Sequence, residues 1–246
     1  MKPINEFACL TYHVIGDGDN QYAVHEKQLR DHLQILKEEG FKVEGFEQLE
    51  TRLRSKAAWP DRYAVLTLDD GHESSMVAAD LLEEQGFQAT FFVTRDRSEA
   101  KPGYIRASEI RALRERGFSF GTHGTTHRKL TFLPERSCIA ELEESKQWLE
   151  DVVGERIGYM AAPGGFINAR VFGLAKEVGY MLAGTCHEKM NAPREIMLPS
   201  LINRVNIRRQ FSLRNIRDIV YGSTPFYFWR QLRSAALTLP KQILRD

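Results

Sequence analysis

Short apolar runs typical of buried strands alternate with amphipathic runs of helical periodicity along most of this 246-residue chain. The strand candidates are 8–15, 41–46, 63–70, 89–94, 118–121, 159–162, 181–184 and 201–207. The helix candidates are 25–40, 47–56, 74–85, 108–116, 134–153 and 168–178. Repeated βα units predict an α/β fold with one parallel sheet. Seven or eight such units predict a distorted (β/α)7–8 barrel.

The alternation is not interrupted by a low-complexity tract or a linker rich in proline and serine, so we expect a single domain. The barrel domain is expected over 1–207, followed by a C-terminal helical extension over 208–246. That extension carries eight lysines and arginines against two aspartates, and an aromatic run at 226–229. This pattern is typical of a helix on a membrane surface, and equally of a helix packed on the body with its arginines in water.

Composition narrows the function classes. A formal net charge of +1 gives no reason to expect a nucleic-acid partner. The three cysteines are far apart and odd in number, which favours buried, reduced thiols over a disulfide framework. The first seven residues lack the apolar stretch of a secretion signal, and no run of eighteen apolar residues follows. We therefore expect a cytoplasmic protein that makes peripheral contact with the inner face of the membrane through its extension.

Two polar motifs lie directly after predicted strands. Residues 67–71 read Thr-Leu-Asp-Asp-Gly, and residues 123–127 read His-Gly-Thr-Thr-His. Two imidazoles four positions apart can face one point if the segment turns as a helix does. One aspartate and two histidines form a common ligand set for a catalytic divalent metal, and the second aspartate is then free to act as a base. Either motif alone is more often a turn or a solvated helix face. Together, at the ends of parallel strands, they predict one shared site.

These motifs resemble those of a known family, the polysaccharide deacetylases (carbohydrate esterase family 4). Residues 67–71 resemble its first motif, T-F-D-D-G, and residues 123–127 resemble its second, H-[ST]-x-x-H, with Gly124 where serine or threonine is usual. The resemblance covers residues 8 to about 207. It implies a distorted (β/α) barrel and metal-dependent hydrolysis of an acetamido group on a sugar.

The resemblance implies that Asp70, His123 and His127 bind the metal and that Asp69 is the general base. Zn²⁺ is the expected metal, with Co²⁺, Ni²⁺ or Mn²⁺ as alternatives. Such a metal lowers the pKa of water to about 7 and polarises an amide carbonyl, while a nearby carboxylate takes the proton. Neighbouring residues of a strand point to opposite faces, so a turn at Gly71 is needed to aim both carboxylates inward.

The later motifs depart from the family pattern. Residues 161–165 lie where R-x-P-x-G is expected, but Ala161 replaces the arginine that holds the catalytic aspartate. Either Arg204 replaces this arginine from the last strand, or the base is less firmly held. Pro163, Gly164 and Gly165 keep the turn and are expected to line the substrate groove.

The general acid needs another source, because the family's Leu-x-His is absent and residues 201–204 read Leu-Ile-Asn-Arg. In a branch of the family that includes the poly-N-acetylglucosamine deacetylases, a Tyr-His pair closes the first strand. Tyr12 and His13 match that pair, so His13 is expected to protonate the leaving amine. His187 is the second candidate, and the alternative for His13 is a core histidine bonded to backbone. His72 is expected to shape the rim of the site.

The expected function is removal of the N-acetyl group from an N-acetylated saccharide, such as a glycan or lipid-linked precursor of a surface polysaccharide. A deformylase or other amide hydrolase on the same barrel is one alternative. A non-catalytic saccharide-binding protein is another. The complete set of metal ligands favours the enzyme, whereas Ala161 and the missing Leu-x-His favour the non-catalytic protein.

Overall fold

The structure, a computed structural model, describes residues 6–55 and 58–230. Its strands are β1 (Ala8–Tyr12), β2 (Val14–Ile15), β3 (Ala23–Val24), β4 (Lys42–Glu44), β5 (Tyr63–Leu68), β6 (Thr90–Val93), β7 (Ser119–Thr122), β8 (Tyr159–Ala161), β9 (Leu182–Gly184), β10 (Ser200–Ile202) and β11 (Val205–Asn206). Its helices are α1 (Glu26–Glu38), α2 (Phe46–Ser55), α3 (Ser75–Gln85), α4 (Arg95–Ala100), α5 (Ala107–Glu115), α6 (Glu135–Val153), α7 (Ala169–Val178) and α8 (Leu213–Val220).

Within the described residues, nine strands form one parallel sheet in the order β10-β9-β8-β7-β6-β5-β1-β11, with β4 pairing on β5. Strands β10 and β11 are consecutive in the chain. One extended segment, 200–206, therefore pairs with β9 through its first half and with β1 through its second half. This arrangement curls the sheet into the distorted (β/α) barrel that the sequence predicts, and the predicted fold is confirmed.

Side chains of the sheet alternate between the barrel interior and the surrounding helices. On β5, Tyr63 and Val65 belong to the interior cluster, whereas Leu66 and Leu68 pack in the larger core beneath the helices. Because side chains alternate along a strand, the residue that follows Leu68 faces the interior. All partners are parallel, so the carboxyl ends of the strands meet at one mouth of the barrel, where the site of such folds is built.

Four differences separate the structure from the sequence-based expectation. The last strand candidate, 201–207, is divided into β10 and β11, and the two-residue strand β3 was not predicted. The first strand candidate, 8–15, is broken at His13, which separates β1 from β2. Helix α4 was not predicted, because its six residues are too few to show a helical apolar stripe. The other predicted strands and helices are present, with ends shifted by a few residues.

The chain beyond 207 is attached to the barrel by helix α8. Ile216 and Ile219 of α8 are buried, α8 packs on α1, and the Gln28 side-chain amide donates hydrogen bonds to the carbonyls of Arg209 and Phe211. The boundary at residue 207 between barrel and extension stays a prediction.

The aromatic run in the extension is partly exposed. Phe228 and Trp229 leave more than half of their surface in solvent, and the remainder of the extension, 231–246, lies outside the described residues. The predicted contact with a membrane surface stays a prediction. None of the helices in the described part of the chain has the length and apolar character needed to cross a bilayer.

Candidate active site

The adjacent residues Asp69 and Asp70 leave β5 in different directions. Asp69 continues the strand alternation and lies inside the barrel, with 2% of its surface exposed. Asp70 has a φ of 77° and Gly71 a φ of 70°, so the chain turns through two left-handed residues. Left-handed backbone is uncommon for a non-glycine residue, although aspartate tolerates it better than most. The turn expected at Gly71 therefore begins one residue earlier.

Asp69 is held by a buried arginine that lies 135 residues further along the chain, between β10 and β11. The Arg204 guanidinium donates two hydrogen bonds to it, Nη1 to Oδ1 at 2.7 Å and Nη2 to Oδ2 at 2.8 Å. Arg204 also donates from Nε to the carbonyl of Thr185 and from Nη1 to the hydroxyl of Thr67. A Cβ on Gly184 would lie 2.6 Å from Arg204 Nε, so the Arg204 side chain can pass residue 184 only because that residue is glycine.

The ionisation of Asp69 depends on its burial and on the basic groups around it. Burial alone would raise the pKa of Asp69, but the Arg204 guanidinium, together with the nearby rings of His123 and His13, lowers the pKa below its ordinary value. Asp69 is therefore a carboxylate at neutral pH. Arg204 makes a bidentate pair with Asp69, which is the contact expected of the arginine that is absent at Ala161.

The side chains of Asp70, His123 and His127 converge on one point. Asp70 Oδ1 lies 2.9 Å from His127 Nε2 and 3.6 Å from His123 Nε2, and the three ligand atoms all lie within 4.8 Å of one another. Arg97 Nη1 approaches the same carboxylate oxygen at 2.8 Å. Burial would raise the pKa of Asp70, but the His127 hydrogen bond and the nearby cationic groups lower it.

The donor set fits a divalent metal. His123 Nδ1 lies 2.8 Å from the carbonyl oxygen of Ala161, to which it donates, so its Nε2 lone pair faces Asp70. Burial lowers the pKa of His123 to about 4, which keeps the ring neutral and able to bind metal at neutral pH. Two imidazoles and one carboxylate leave coordination positions open for water or substrate, as catalytic sites require.

The segment 123–127 reaches this geometry without a helical turn. It is a bend in which Gly124 has a φ of 75° and His127 a φ of 65°, and the two imidazole centroids lie 5.0 Å apart. The expectation that the two rings converge through helix-like turning was wrong in its geometry. A bend built on two left-handed residues brings them together instead.

His13 lies beside this cluster, at the break after β1. Its ring centroid lies 5.1 Å from that of the Tyr22 ring, with the two rings tilted by 30°, and its buried Nδ1 has no hydrogen-bond partner in the described part of the protein. Burial lowers the pKa of His13, while the charges of Asp69 and Asp70 act in the opposite direction. His13 thus lies close enough to both carboxylates to feel their charge, and one of its ring nitrogens is buried without a partner in the described residues.

The remaining expected residues lie around the mouth. His187 is exposed in the loop after β9, with its backbone N–H donating to the Thr185 hydroxyl. His72 lies within 2.9 Å of the Ser74 hydroxyl and contacts the Tyr104 ring edge to face, which is a position on the rim.

The turn at 163–165 lies against the second histidine motif. Pro163 and Gly165 are buried, and a Cβ on Gly165 would lie 2.1 Å from Cys186 Sγ. Pro163 approaches Gly124, since a Cβ added there would lie 3.5 Å from Pro163 Cγ. Gly164 is exposed at the turn.

Two residues of the site were missed by sequence reasoning. Arg97, on the unpredicted α4, contacts Asp70, and no pattern in the sequence distinguishes it from other surface arginines. Glu141 of α6 accepts hydrogen bonds from the backbone N–H groups of Thr125 and Thr126. Its signal was present, because it is the one charged residue among the buried positions of α6, which also include Cys138, Leu142, Ser145 and Leu149.

The family model for polysaccharide deacetylases matches residues 56–183, slightly more than half of the chain. The matched region includes both aspartates and both histidines of the converging cluster. His13 and Arg204 lie outside it.

Known proteins agree with this match. YheN of Bacillus subtilis, which carries the same family name, is 30% identical over 141 residues, covering 56% of this chain and 47% of YheN. The peptidoglycan-N-acetylglucosamine deacetylase of Bacillus cereus is 29% identical over 122 residues, covering 49% of this chain and 54% of that protein. The chain thus spans about half the length of these curated relatives.

Similarity in fold extends further than similarity in sequence. The deacetylase PplD of Streptococcus pyogenes, solved in complex with acetate, superposes with a TM-score of 0.80 at 22% identity, covering 89% of this chain and 99% of PplD. The shared fold covers a larger share of the chain than the family model does. By its family-model match, its two motifs and its barrel, the chain belongs to the polysaccharide deacetylase family.

Proposed function

We propose that this chain is a metal-dependent hydrolase that removes the N-acetyl group from an N-acetylated saccharide. One observation carries the proposal. Asp69 is ionised and held by Arg204, while its neighbour Asp70 converges with His123 and His127. Consecutive residues therefore supply a proton acceptor, Asp69, and one member of a metal ligand set, Asp70. Amide hydrolysis needs this division of roles.

The residues divide the chemistry as follows. A divalent metal held by Asp70, His123 and His127, with Zn²⁺ as the first candidate and Co²⁺, Ni²⁺ or Mn²⁺ as alternatives, would polarise the acetamido carbonyl and lower the pKa of water. Asp69 accepts the proton of the attacking water, and its two bonds to Arg204 fix the direction of the carboxylate.

His13 is the proposed donor of a proton to the leaving nitrogen. Burial lowers the pKa of His13, so the ring is neutral at neutral pH, and the proton it passes to the leaving nitrogen is the one that Asp69 accepts from the attacking water. The charges of Asp69 and Asp70 favour protonation of His13, and its Nδ1 has no hydrogen-bond partner in the described residues that would hold a proton elsewhere. His187 is exposed in its loop and is the weaker candidate.

The names of the relatives support a saccharide substrate, since one of them is a peptidoglycan-N-acetylglucosamine deacetylase. We infer that the substrate is a glycan or a lipid-linked precursor of a surface polysaccharide. The exposed aromatic side chains of Phe228 and Trp229, in a basic part of the chain, support contact with a lipid surface.

Product release tests the function directly. The purified chain is stripped with a chelator, reloaded with each metal in turn, and mixed with N-acetylglucosamine oligomers or a polyprenyl-linked N-acetylated sugar. We expect acetate release that depends on the metal. Formate release from N-formyl analogues without acetate release would favour the other amide hydrolases. Saccharide binding without any product would favour a non-catalytic protein and contradict the proposal.

The same assay ranks the two candidate acids. His13→Ala should lower turnover by about 10²–10⁴, the usual contribution of acid–base catalysis. His187→Ala, at an exposed position of the same mouth, is the matched control and should retain the turnover of the unaltered chain. The reverse ranking would assign the acid to His187.

A further inference from the structure

Glu141 is a carboxylate buried under the segment that carries both histidine ligands. It lies on α6 with 6% of its surface exposed. Its Oε2 accepts hydrogen bonds from Thr125 N at 2.8 Å and from Thr126 N at 2.9 Å, and its Oε1 accepts from the Thr126 hydroxyl. A buried charge is costly unless it is hydrogen-bonded, and all three of these bonds go to residues between His123 and His127.

We call the segment His123–His127 the metal loop. Its carbonyl groups are held from the opposite side, by the first turn of α4. Arg95 N donates to the carbonyl of Gly124 at 3.3 Å, and Asp96 N donates to that of Thr125 at 3.0 Å. The loop is thus held through its carbonyl groups by α4 and through its N–H groups by Glu141.

This double attachment accounts for the backbone of the second ligand. His127 has a φ of 65°, a conformation that a histidine keeps only where its surroundings impose it. His123 has its own support, because its Nδ1 donates to the carbonyl of Ala161. Glu141 therefore supports the position of His127 rather than that of His123.

The residue after the first histidine is matched to this carboxylate. Gly124 has a φ of 75°, and a Cβ added to it would lie 3.0 Å from Glu141 Oε2. A side chain at 124 would press against the oxygen that binds Thr125 N and Thr126 N. The position of the Glu141 carboxylate thus depends on the absence of a side chain at residue 124.

We propose that Glu141 is a positioning residue of the metal centre: its carboxylate holds the metal loop so that His127 faces Asp70. The inference rests on the proposed function, since it assigns Glu141 a role in the metal binding of that site. It predicts that Glu141 contributes to metal affinity through His127 and makes no contact with the metal.

Titration of the full, metal-free chain with Co²⁺, followed by visible absorption, tests the proposal. Glu141→Ala should raise the Co²⁺ dissociation constant by about 10- to 100-fold, the usual effect of removing a group that orients a ligand. Glu141→Gln should restore most of the affinity, because an amide oxygen can accept the same two N–H bonds. Glu143→Ala, an exposed glutamate on the same helix, is the control and should bind like the unaltered chain.

A double-mutant cycle separates positioning from a general loss of structure. If Glu141 acts through His127, Glu141→Ala should weaken Co²⁺ binding in the unaltered chain but add nothing in a His127→Ala background. Equal weakening in both backgrounds would overturn the proposal. So would unchanged binding by Glu141→Ala, or binding by Glu141→Gln as weak as that by Glu141→Ala.

A second variant is available if Glu141→Ala fails to fold. Circular dichroism checks each variant, and Glu141→Asp, one methylene shorter, replaces Glu141→Ala in the cycle if the alanine variant is unfolded. The outcome is distinguishable from failure of the proposed function. An unaltered chain that binds no Co²⁺ removes the metal site and this inference with it, whereas normal binding that is insensitive to residue 141 removes the inference alone.

Discussion

Asp69 and Asp70 are adjacent in the chain, yet their surroundings differ. Asp69 is buried inside the barrel and pairs with Arg204, a permanently charged partner 135 residues away. Asp70 is partly exposed, lies in left-handed backbone, and faces two imidazoles as well as the guanidinium of Arg97. The direction of Asp69 is therefore fixed by one buried arginine, whereas Asp70 lies among imidazoles that can share a metal with it.

The difference shows how one turn gives two identical side chains two environments. The strand alternation brings the first carboxylate into the barrel, and the turn at Asp70 brings the second to the mouth beside the metal loop. An ion pair in the interior keeps a base ionised, and a cluster at the mouth leaves room for ligand exchange. The predictions below test whether the two environments are as separate as the geometry indicates.

Exchanging the carboxylates for amides one at a time gives the largest expected effect. Asp69→Asn removes the proton acceptor but no metal ligand, so turnover should fall by about 10²–10⁴ while Co²⁺ affinity stays close to that of the unaltered chain. Asp70→Asn should lose Co²⁺ affinity and turnover together. Metal titration and acetate release on both variants measure this. Equal loss of Co²⁺ by both variants would show that the two roles are shared.

Removing the partner of Asp69 should act on stability first. Arg204→Met leaves Asp69 as a buried charge without compensation, and the free energy of unfolding in urea should fall by about 3–5 kcal/mol. The double variant Asp69→Asn/Arg204→Met, which removes both charges, should recover much of that loss.

An exposed pair of the same geometry is the control for this prediction. Arg116 donates two hydrogen bonds to Glu83 at 2.8 Å each, but at the protein surface. Arg116→Met should therefore cost only about 0.2–1 kcal/mol. If Arg204→Met cost no more than Arg116→Met, the Asp69 environment would be hydrated, and the contrast with Asp70 would be lost.

These experiments depend on contacts that the sequence predicts to different degrees. The barrel and the strand that ends at the two aspartates follow from local periodicity, because the apolar run and its alternation are properties of a few neighbouring residues. The two motifs follow from residue type and from the common edge of parallel strands. Arg204 could be named as a candidate cation, but its bidentate geometry depends on packing between residues far apart in the chain.

Other features leave no local signal of this kind. The left-handed turn at Asp70 and the bend at His127 are imposed by tertiary contacts, so residue propensities favour a different backbone. Helix α4 is shorter than the periodicity needed to recognise it, and Arg97 is unremarkable in sequence. Glu141 breaks an apolar face and could have been identified as a buried charge in need of a partner, although its partner could not.

The pH dependence of stability is the smallest of the three expected differences between the surroundings of Asp69 and those of Asp70. Burial lowers the pKa of His123 from 6.5 to about 4. As the pH falls below 6.5, His123 is therefore protonated in the unfolded chain but stays neutral in the folded one. The free energy of unfolding of the metal-free protein should therefore fall between pH 6.5 and 4, by at most about 3 kcal/mol for this residue. The pKa of Asp69 is also lowered, but from 3.8, so the stability that its pair with Arg204 contributes is complete above that pH and is lost only at lower values.

His32, in helix α1 beside Tyr12, has a pKa lowered by burial to about 4 and contributes a slope of the same sign. His13 also has a pKa lowered by burial and adds a slope of the same sign. Urea unfolding at several pH values, on the unaltered chain, His123→Asn, His32→Gln and His13→Gln, resolves the three contributions. Each variant should flatten part of the slope, and a slope in His123→Asn as steep as in the unaltered chain would mean that His123 is already hydrated and that Asp70 faces an open site.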